Sequence, residues 1–326
     1  MKLQGLEEKE LISVLRKEFS ASCPELTVGI GDDAAVIKVG KSSFIITKDL
    51  IVEDFHFVSS FHPPYFLGRK SLNVNLSDIA AMGGVPRYAL LGLGLPIQIE
   101  LDWLGNFFAG LKSAAKEESV ILIGGDISQA KKITISVTAV GEGKNILKRS
   151  GAKPGHLIFV SGTLGDARQG LLLARKGYSI GDDKKADMML KAFLDPAPCV
   201  SLGCELSRLM LASSMIDISD GLSVDLGHIC EESGCGAEIY LEKLPISTEL
   251  RSMQRRAFWY ALHGGEDYQL LFSIPPQQID SISRLQKKFR ITQIGRIIEG
   301  KDVFIVDKSG KRKKLMEKGY QHFKMR

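Results

Sequence analysis

The sequence predicts an α/β protein of α+β style built as two domains, and three observations carry that expectation. Its 326 residues, 44% of them hydrophobic, exceed one ordinary domain and can bury two cores. Segments with the period-two alternation of strands are interspersed with segments of helical period in both halves. Between the halves, ILKRSGAKP at 146–154 turns polar and carries Gly and Pro, the punctuation of a connection. The expected division is therefore 1–147 and 148–326.

In the first half, MKLQGLEEKELISVLRKEF has the amphipathic rhythm of a helix over Leu6–Phe19. Alternation predicts strands at Ala34–Val39, Phe44–Thr47, Tyr88–Leu95, Val120–Ile123 and Ile133–Val140. Helical periodicity places helices at Tyr65–Met82 and Leu101–Lys116. The second half opens with the apolar strand LIFVSG and the glycine-rich helix start TLGDARQG. Helices follow at Val200–Ala212, Leu222–Ser233 and Ser252–Leu262, with strands at Met215–Ile218, Ala237–Leu241, Tyr268–Ile274, Ile291–Ile298 and Val303–Val306.

Composition narrows the function classes. The net charge of +5 arises from 43 basic and 38 acidic residues, and part of the excess is the run Lys311-Arg312-Lys313-Lys314. A nucleic-acid stripe would be stronger and interleaved with aromatics; the run reads as the solvated end of a hairpin. The acidic start lacks the basic head and apolar core of a secretory signal, and no apolar run approaches the roughly 18 residues of a membrane span. A cytoplasmic protein that binds neither membrane nor nucleic acid is expected. Five cysteines, Cys23, Cys199, Cys204, Cys230 and Cys235, fit neither a zinc pattern nor a disulfide framework, so buried free thiols are expected.

Chemistry concentrates in carboxylates set beside glycines at the ends of apolar runs. In GIGDDAAV, Gly29 and Gly31 allow a tight turn that can aim Asp32 and Asp33 at a common point. NLSDIAAMGG puts Asn75 and Asp78 three apart on one face of an otherwise apolar helix. VILIGGD runs an apolar strand into Gly124-Gly125-Asp126, like the acidic strand ends that hold magnesium, and MIDISDG brings Asp217 and Asp220. Two like charges about 4 Å apart repel by roughly 4 kcal/mol at an effective dielectric of about 20, so Asp33, Asp49, Asp78, Asp126, Asp217 and Asp220 together require cations or partial protonation. Aspartates without histidine or cysteine favour hard, oxygen-seeking ions, and Mg²⁺ completes its shell with water and phosphate oxygens, which points to a polyphosphate substrate.

GRIIEGKD at 295–302 has the spacing of a phosphate-binding loop, but Asp302 stands where Ser or Thr would hold Mg²⁺ and a strand follows where a helix is needed. A hairpin is expected there. Rossmann and nucleophile-elbow signatures are absent.

The ordered set GIGDDAAV, VEDFHF, NLSDIAAMGG, LIGGD, RSGAKPG, IDISDGL, GGEDYQLLF and KGYQHF spans nearly the whole chain and resembles the thiamine-monophosphate kinase family of the aminoimidazole ribonucleotide synthetase superfamily. The resemblance implies that superfamily's fold, with an N-terminal domain that binds ATP and Mg²⁺ and dimerises through its sheet and a C-terminal α/β domain. It implies direct transfer of the γ-phosphoryl group of ATP to thiamine monophosphate, several Mg²⁺ ions and a homodimer. Metal positions carried over are Asp33, Thr47, Lys48, Asp49, Asp78, Asp126, Asp217 and Asp220. At Lys48 the family usually has Thr, so only the main-chain carbonyl can be a ligand, or the ammonium can approach a phosphate. Nucleotide contacts fall on Gly125, Asp126, Arg149, Ser219 and Phe108, and contacts to thiamine phosphate on His56, Glu266 and Tyr320. Asp126, Arg149 and Asp217 are the implied catalytic residues. Alternatives are another ATP-dependent superfamily enzyme or a non-catalytic nucleotide-binding regulator. The end HFKMR lacks the cysteine of hydrogenase-maturation relatives, and Cys23 lies outside the glycine-rich setting of selenophosphate synthetases.

Overall fold

The computed structural model of the protein describes residues 8–19 and 23–316. The first half comprises α1 (Glu8–Glu18), β1 (Leu26–Val28), β2 (Ala35–Val39), β3 (Ser42–Val52), α2 (Pro64–Ala81), β4 (Val85–Leu95), α3 (Leu101–Glu117), β5 (Ile121–Gln129) and β6 (Thr134–Gly143). Its strands form one sheet in the order β1-β2-β3-β6-β4-β5. Only the β4–β5 pair is parallel, as a pair joined by the crossover helix α3 must be.

The second half comprises β7 (Leu157–Ser161), α4 (Asp166–Arg175), α5 (Lys184–Leu194), α6 (Val200–Arg208), β8 (Ser214–Asp217), α7 (Leu222–Ser233), β9 (Gly236–Tyr240), α8 (Thr248–Met253), α9 (Ala257–His263), β10 (Leu270–Ile274), α10 (Ile279–Leu285), β11 (Ile291–Ile298), β12 (Val303–Val306) and β13 (Arg312–Lys314). These strands form a second sheet in the order β13-β12-β9-β11-β7-β10-β8. Asp217 ends β8, opposite Leu270 of β10.

Helix α2 lies between the two sheets and organises the site. Pro64 starts it with a preset φ and no donor to waste. Leu67, Leu72, Leu76 and Ile79 are at most 1% exposed, each contributing about 2 kcal/mol of burial. Its crossing with α3 is so close that a Cβ on Gly110 would stand 1.8 Å from the Tyr65 carbonyl oxygen. Because the other side of α2 meets the second half, its polar side chains are buried too and must be paired. Arg69 Nε donates to Asp195 Oδ1 at 2.8 Å and its Nη2 to Glu117 Oε2 at 2.7 Å. Asn73 donates to the Pro196 carbonyl at 2.9 Å.

Several expectations are corrected. β11 and β12 are not a hairpin: β9 lies between them, antiparallel to β11 and parallel to β12, a pairing fixed by contacts distant in sequence. The hairpin at the basic run is present, as β12 and β13, with Arg312–Lys314 exposed. The helix expected over Ser252–Leu262 is broken into α8 and α9, where the Gln254 backbone is extended and its side-chain oxygen accepts from Arg256 N at 3.2 Å. β5 continues six residues past Ile123, and α5, α10 and β1 are additions to the elements that periodicity predicts. Of the cysteines only Cys230 and Cys235 are buried, and Cys23 is exposed. Among the described residues, no helix is long and apolar enough to cross a membrane.

Candidate active site

The loop before β2 turns on Gly31, whose φ of +119° strains any residue with a side chain. The two aspartates after it diverge where a common aim was expected. Asp32 Oδ1 accepts the amides of Asp33 at 3.1 Å and Arg149 at 3.2 Å, so it braces the backbone. Asp33 points inward, and its Oδ1 accepts from Arg149 Nε at 3.0 Å and Nη2 at 2.6 Å. Its other oxygen, Oδ2, is buried without a partner among the described residues.

Strand alternation sorts the next residues. Thr47 is buried and faces α2, donating to Asp78 Oδ2 at 2.5 Å, while the Asp49 amide donates to Asn75 Oδ1 at 3.0 Å. Lys48 points to the opposite face of β3 and donates to Ser136 of β6, so its ammonium is turned away from Asp78. From the second half Asp217 enters at the end of β8, its Oδ2 accepting from Ser77 of α2 at 2.6 Å. Oxygens of Asp33, Asp78 and Asp217 thereby lie within 4.8 Å of one another. Beside them, Asp220, Asp225 and His228 form a second such group at the start of α7. Asp225 and His228 add to the carboxylates that the sequence motifs mark, and their i, i+3 spacing on an apolar helix is the signal for them.

Burial is the main electrostatic force here. It pushes Asp33 up to about 7, against the Arg149 charge and with help from Asp217 and Asp32. Burial likewise raises Asp217 to about 6, opposed by the Ser77 hydrogen bond and Arg149, and raises Asp49 to about 6. Asp78 is held well above the usual carboxylate range by burial and by the charges of Asp49, Asp217 and Asp33. The set is oxygen-only, has one guanidinium within it and leaves Asp33 Oδ2 unmet, which is the donor chemistry of a hard divalent cation.

Other predicted positions stand apart. Asp126 is mid-strand rather than at a strand end, because β5 runs on to Gln129. Asp49 is level with Val137, Val137 with Leu91 and Leu91 with Gly125, so three strand spacings, about 14 Å, separate Asp49 from Gly125. Gly125 and Asp126 therefore lie outside the carboxylate group of their own chain. Phe108 is 38% exposed on α3, while its neighbour Phe107 fills the core. His56 is half-buried, with Nδ1 accepting from Val52 N at 3.0 Å. Glu266 has a left-handed backbone, φ 60°, fixed by its amide bond to Ser219 O at 2.7 Å, which brings the Ser219 and Glu266 loops together. Tyr320 lies outside the described residues.

Models of the AIR synthase related protein N-terminal and C-terminal domains match residues 31–142 and 153–308. A thiamine-monophosphate kinase of Aquifex aeolicus is 36% identical over 99% of this chain and 100% of its own. The chain belongs to the AIR synthase related family, among its thiamine-monophosphate kinases. Another member of the family, from Escherichia coli K12, is 37% identical over 97% of this chain and 98% of its own. The solved structure of AaThiL complexed with AMPPCP and TMP superposes with a TM-score of 0.89 at 36% identity, covering 99% of both chains. A hydrogenase maturation protein HypE in complex with ATP, 20% identical with a TM-score of 0.69, shares the fold.

Proposed function

We propose that the protein transfers the γ-phosphoryl group of ATP directly to the phosphate of thiamine monophosphate, forming thiamine diphosphate with Mg²⁺. The observation that carries this reading is the group of Asp33, Asp78 and Asp217, the first and last buried and Asp78 half-buried, assembled from both halves of a chain of this family. In our reading Asp33, Thr47, Asp49, Asp78, Asp217 and Asp220 hold the ions, with Lys48 limited to its main-chain carbonyl. Bound Mg²⁺ supplies charge neutralisation between donor and acceptor phosphates. The acceptor is a phosphate oxygen, already nucleophilic at neutral pH, so no side chain is needed as base. Arg149 exchanges Asp33 for a nucleotide phosphate and holds the donor in line. Ser219 and Phe108 add contacts to the nucleotide, and His56, Glu266 and Tyr320 hold the thiamine part. Residues 1–147 carry most metal ligands, and 148–326 close the site.

We further propose a homodimer joined through the first sheet, with Gly125 and Asp126 serving the partner's site. β5 is an edge strand whose Ile121, Leu122, Ile123 and Ile127 are 49–62% exposed, an apolar edge that monomers avoid. The distance from Asp49 to Gly125 supports a role across the dimer. The function is tested by incubating the protein with Mg²⁺, ATP and thiamine monophosphate: equal amounts of ADP and thiamine diphosphate are expected. ADP formed without thiamine diphosphate would overturn it.

A further inference from the structure

Lys70 of α2 is a cation almost wholly out of water, its side chain 5% exposed. Its Nζ donates to Glu266 Oε1 at 2.8 Å and to the Phe193 carbonyl at 3.0 Å, and stands 4.3 Å from the centre of the Phe193 ring. These partners take up the ammonium's donors and its charge, so Lys70 has no freedom to swing. Glu266 has less freedom still. Its backbone is left-handed at φ 60° and its amide is bonded to Ser219 O at 2.7 Å. Its side chain, 32% exposed, uses one oxygen on Lys70, while Oε2 takes no hydrogen bond among the described residues. The ion pair thus joins the helix between the sheets to the loop next to Asp217, and it leaves one carboxylate oxygen for the cleft.

We propose that Lys70 is a positioning residue for the acceptor substrate: by binding Oε1 it aims Oε2 of Glu266 at the cationic or amine-bearing heterocycle of thiamine monophosphate. The proposal rests on the reading of Glu266 as an acceptor contact. A glutamate with free χ angles would spread its oxygens over many positions and would lose rotamer entropy on every binding event. Pinned by Lys70, it offers one oxygen in one place. The oxygen left over can attract a thiazolium or accept a hydrogen bond from an aminopyrimidine N–H.

The test uses the full chain with Lys70→Met, Lys70→Arg, Glu266→Gln and the Lys70→Met/Glu266→Gln pair. KM for thiamine monophosphate and for ATP, kcat, the calorimetric Kd for thiamine monophosphate and the melting temperature are measured for each. Lys70→Met keeps the length of the side chain and its contact with Phe193, so folding is retained. The expected result is a rise of about tenfold or more in KM and Kd for thiamine monophosphate, with KM for ATP within about twofold. Lys70→Arg recovers most of the loss, and the double variant binds no worse than Glu266→Gln, because both changes remove one device. If Glu266→Gln weakens acceptor binding and Lys70→Met lowers only the melting temperature, Lys70 is structural and the proposal falls while the reading of Glu266 stands. If Glu266→Gln leaves acceptor binding unchanged, the reading of Glu266 falls and takes the proposal with it.

Discussion

Arg149 Nη2 stands 2.6 Å from Asp33 Oδ1, so a guanidinium at the start of the second half faces an acid of the first. It is the only cation bonded to the carboxylate group among the described residues, and Asp78 and Asp217 crowd the same space. Asp33 Oδ2 gains nothing from it. A site so short of positive charge is expected to depend on added cations. Exhaustive chelation should abolish turnover, and Mg²⁺ or Mn²⁺ should restore it, with a rise in melting temperature on adding Mg²⁺ alone. Full turnover in the chelated enzyme would refute this.

Stability of the metal-free protein should fall as pH rises. The folded-state values of Asp33, about 7, and of Asp49 and Asp217, about 6, lie above the unfolded value near 4. Between these limits the folded chain binds more protons than the unfolded one, so the free energy of unfolding decreases with pH until the folded groups have ionised. In chelator the melting temperature should therefore drop by several degrees from pH 5 to pH 8, and excess Mg²⁺, which needs ionised carboxylates, should shrink the drop. A melting temperature that is flat or rises over this window in chelator would show that the carboxylates are not protonated by burial.

Asp217→Asn should separate function from folding. The amide keeps the shape and can still accept the Ser77 hydroxyl, but one charge leaves a like-charged group. Turnover is expected to fall by about a hundredfold or more, while the melting temperature in chelator stays level or rises. A near-normal rate, or a collapse in melting temperature, would move Asp217 from the chemistry to the framework.

Sequence reading reached the acidic residues because each sits beside a local signal: Gly31 before Asp33, the polar pair Asn75 and Asp78 on an apolar helix, and an apolar run ending at Asp217. It failed where the deciding contact is distant. Nothing in GRIIEGKD announces that β9 will enter between β11 and β12. The GGD of LIGGD reads as a strand end, yet pairing of Leu91 with Gly125 and Gly92 with Asp126 carries β5 onward. Lys70 was invisible for the same reason, since a lysine on a helix is ordinarily solvated, and only Phe193 and Glu266, more than a hundred residues away, bury and hold it.

The exposed apolar residues of β5 make the homodimer a direct measurement. Sedimentation at micromolar concentration should give twice the monomer mass, and charged substitutions at Ile121 and Ile123 should shift it toward monomer. A single monomeric species in the unaltered protein would reject the interface.

Asp126 gives the sharpest test of how the two copies work together. If it serves the partner's site, Asp126→Asn and Asp217→Asn chains are each inactive alone, but a mixed dimer holds one site with both native residues. Random reassembly of equal amounts makes about half of the dimers mixed, each with one working site of two, so about a quarter of the unaltered activity should return. If Asp126 acts within its own chain, every site in every dimer lacks one of the two aspartates and mixing restores nothing. The three strand spacings from Asp49 to Gly125 favour the first outcome, because a ligand about 14 Å from the others cannot share their ion. Recovery after dissociation and reassembly of the mixture, with no recovery for either variant treated alone, is the expected result; no recovery in the mixture would return Asp126 to its own chain.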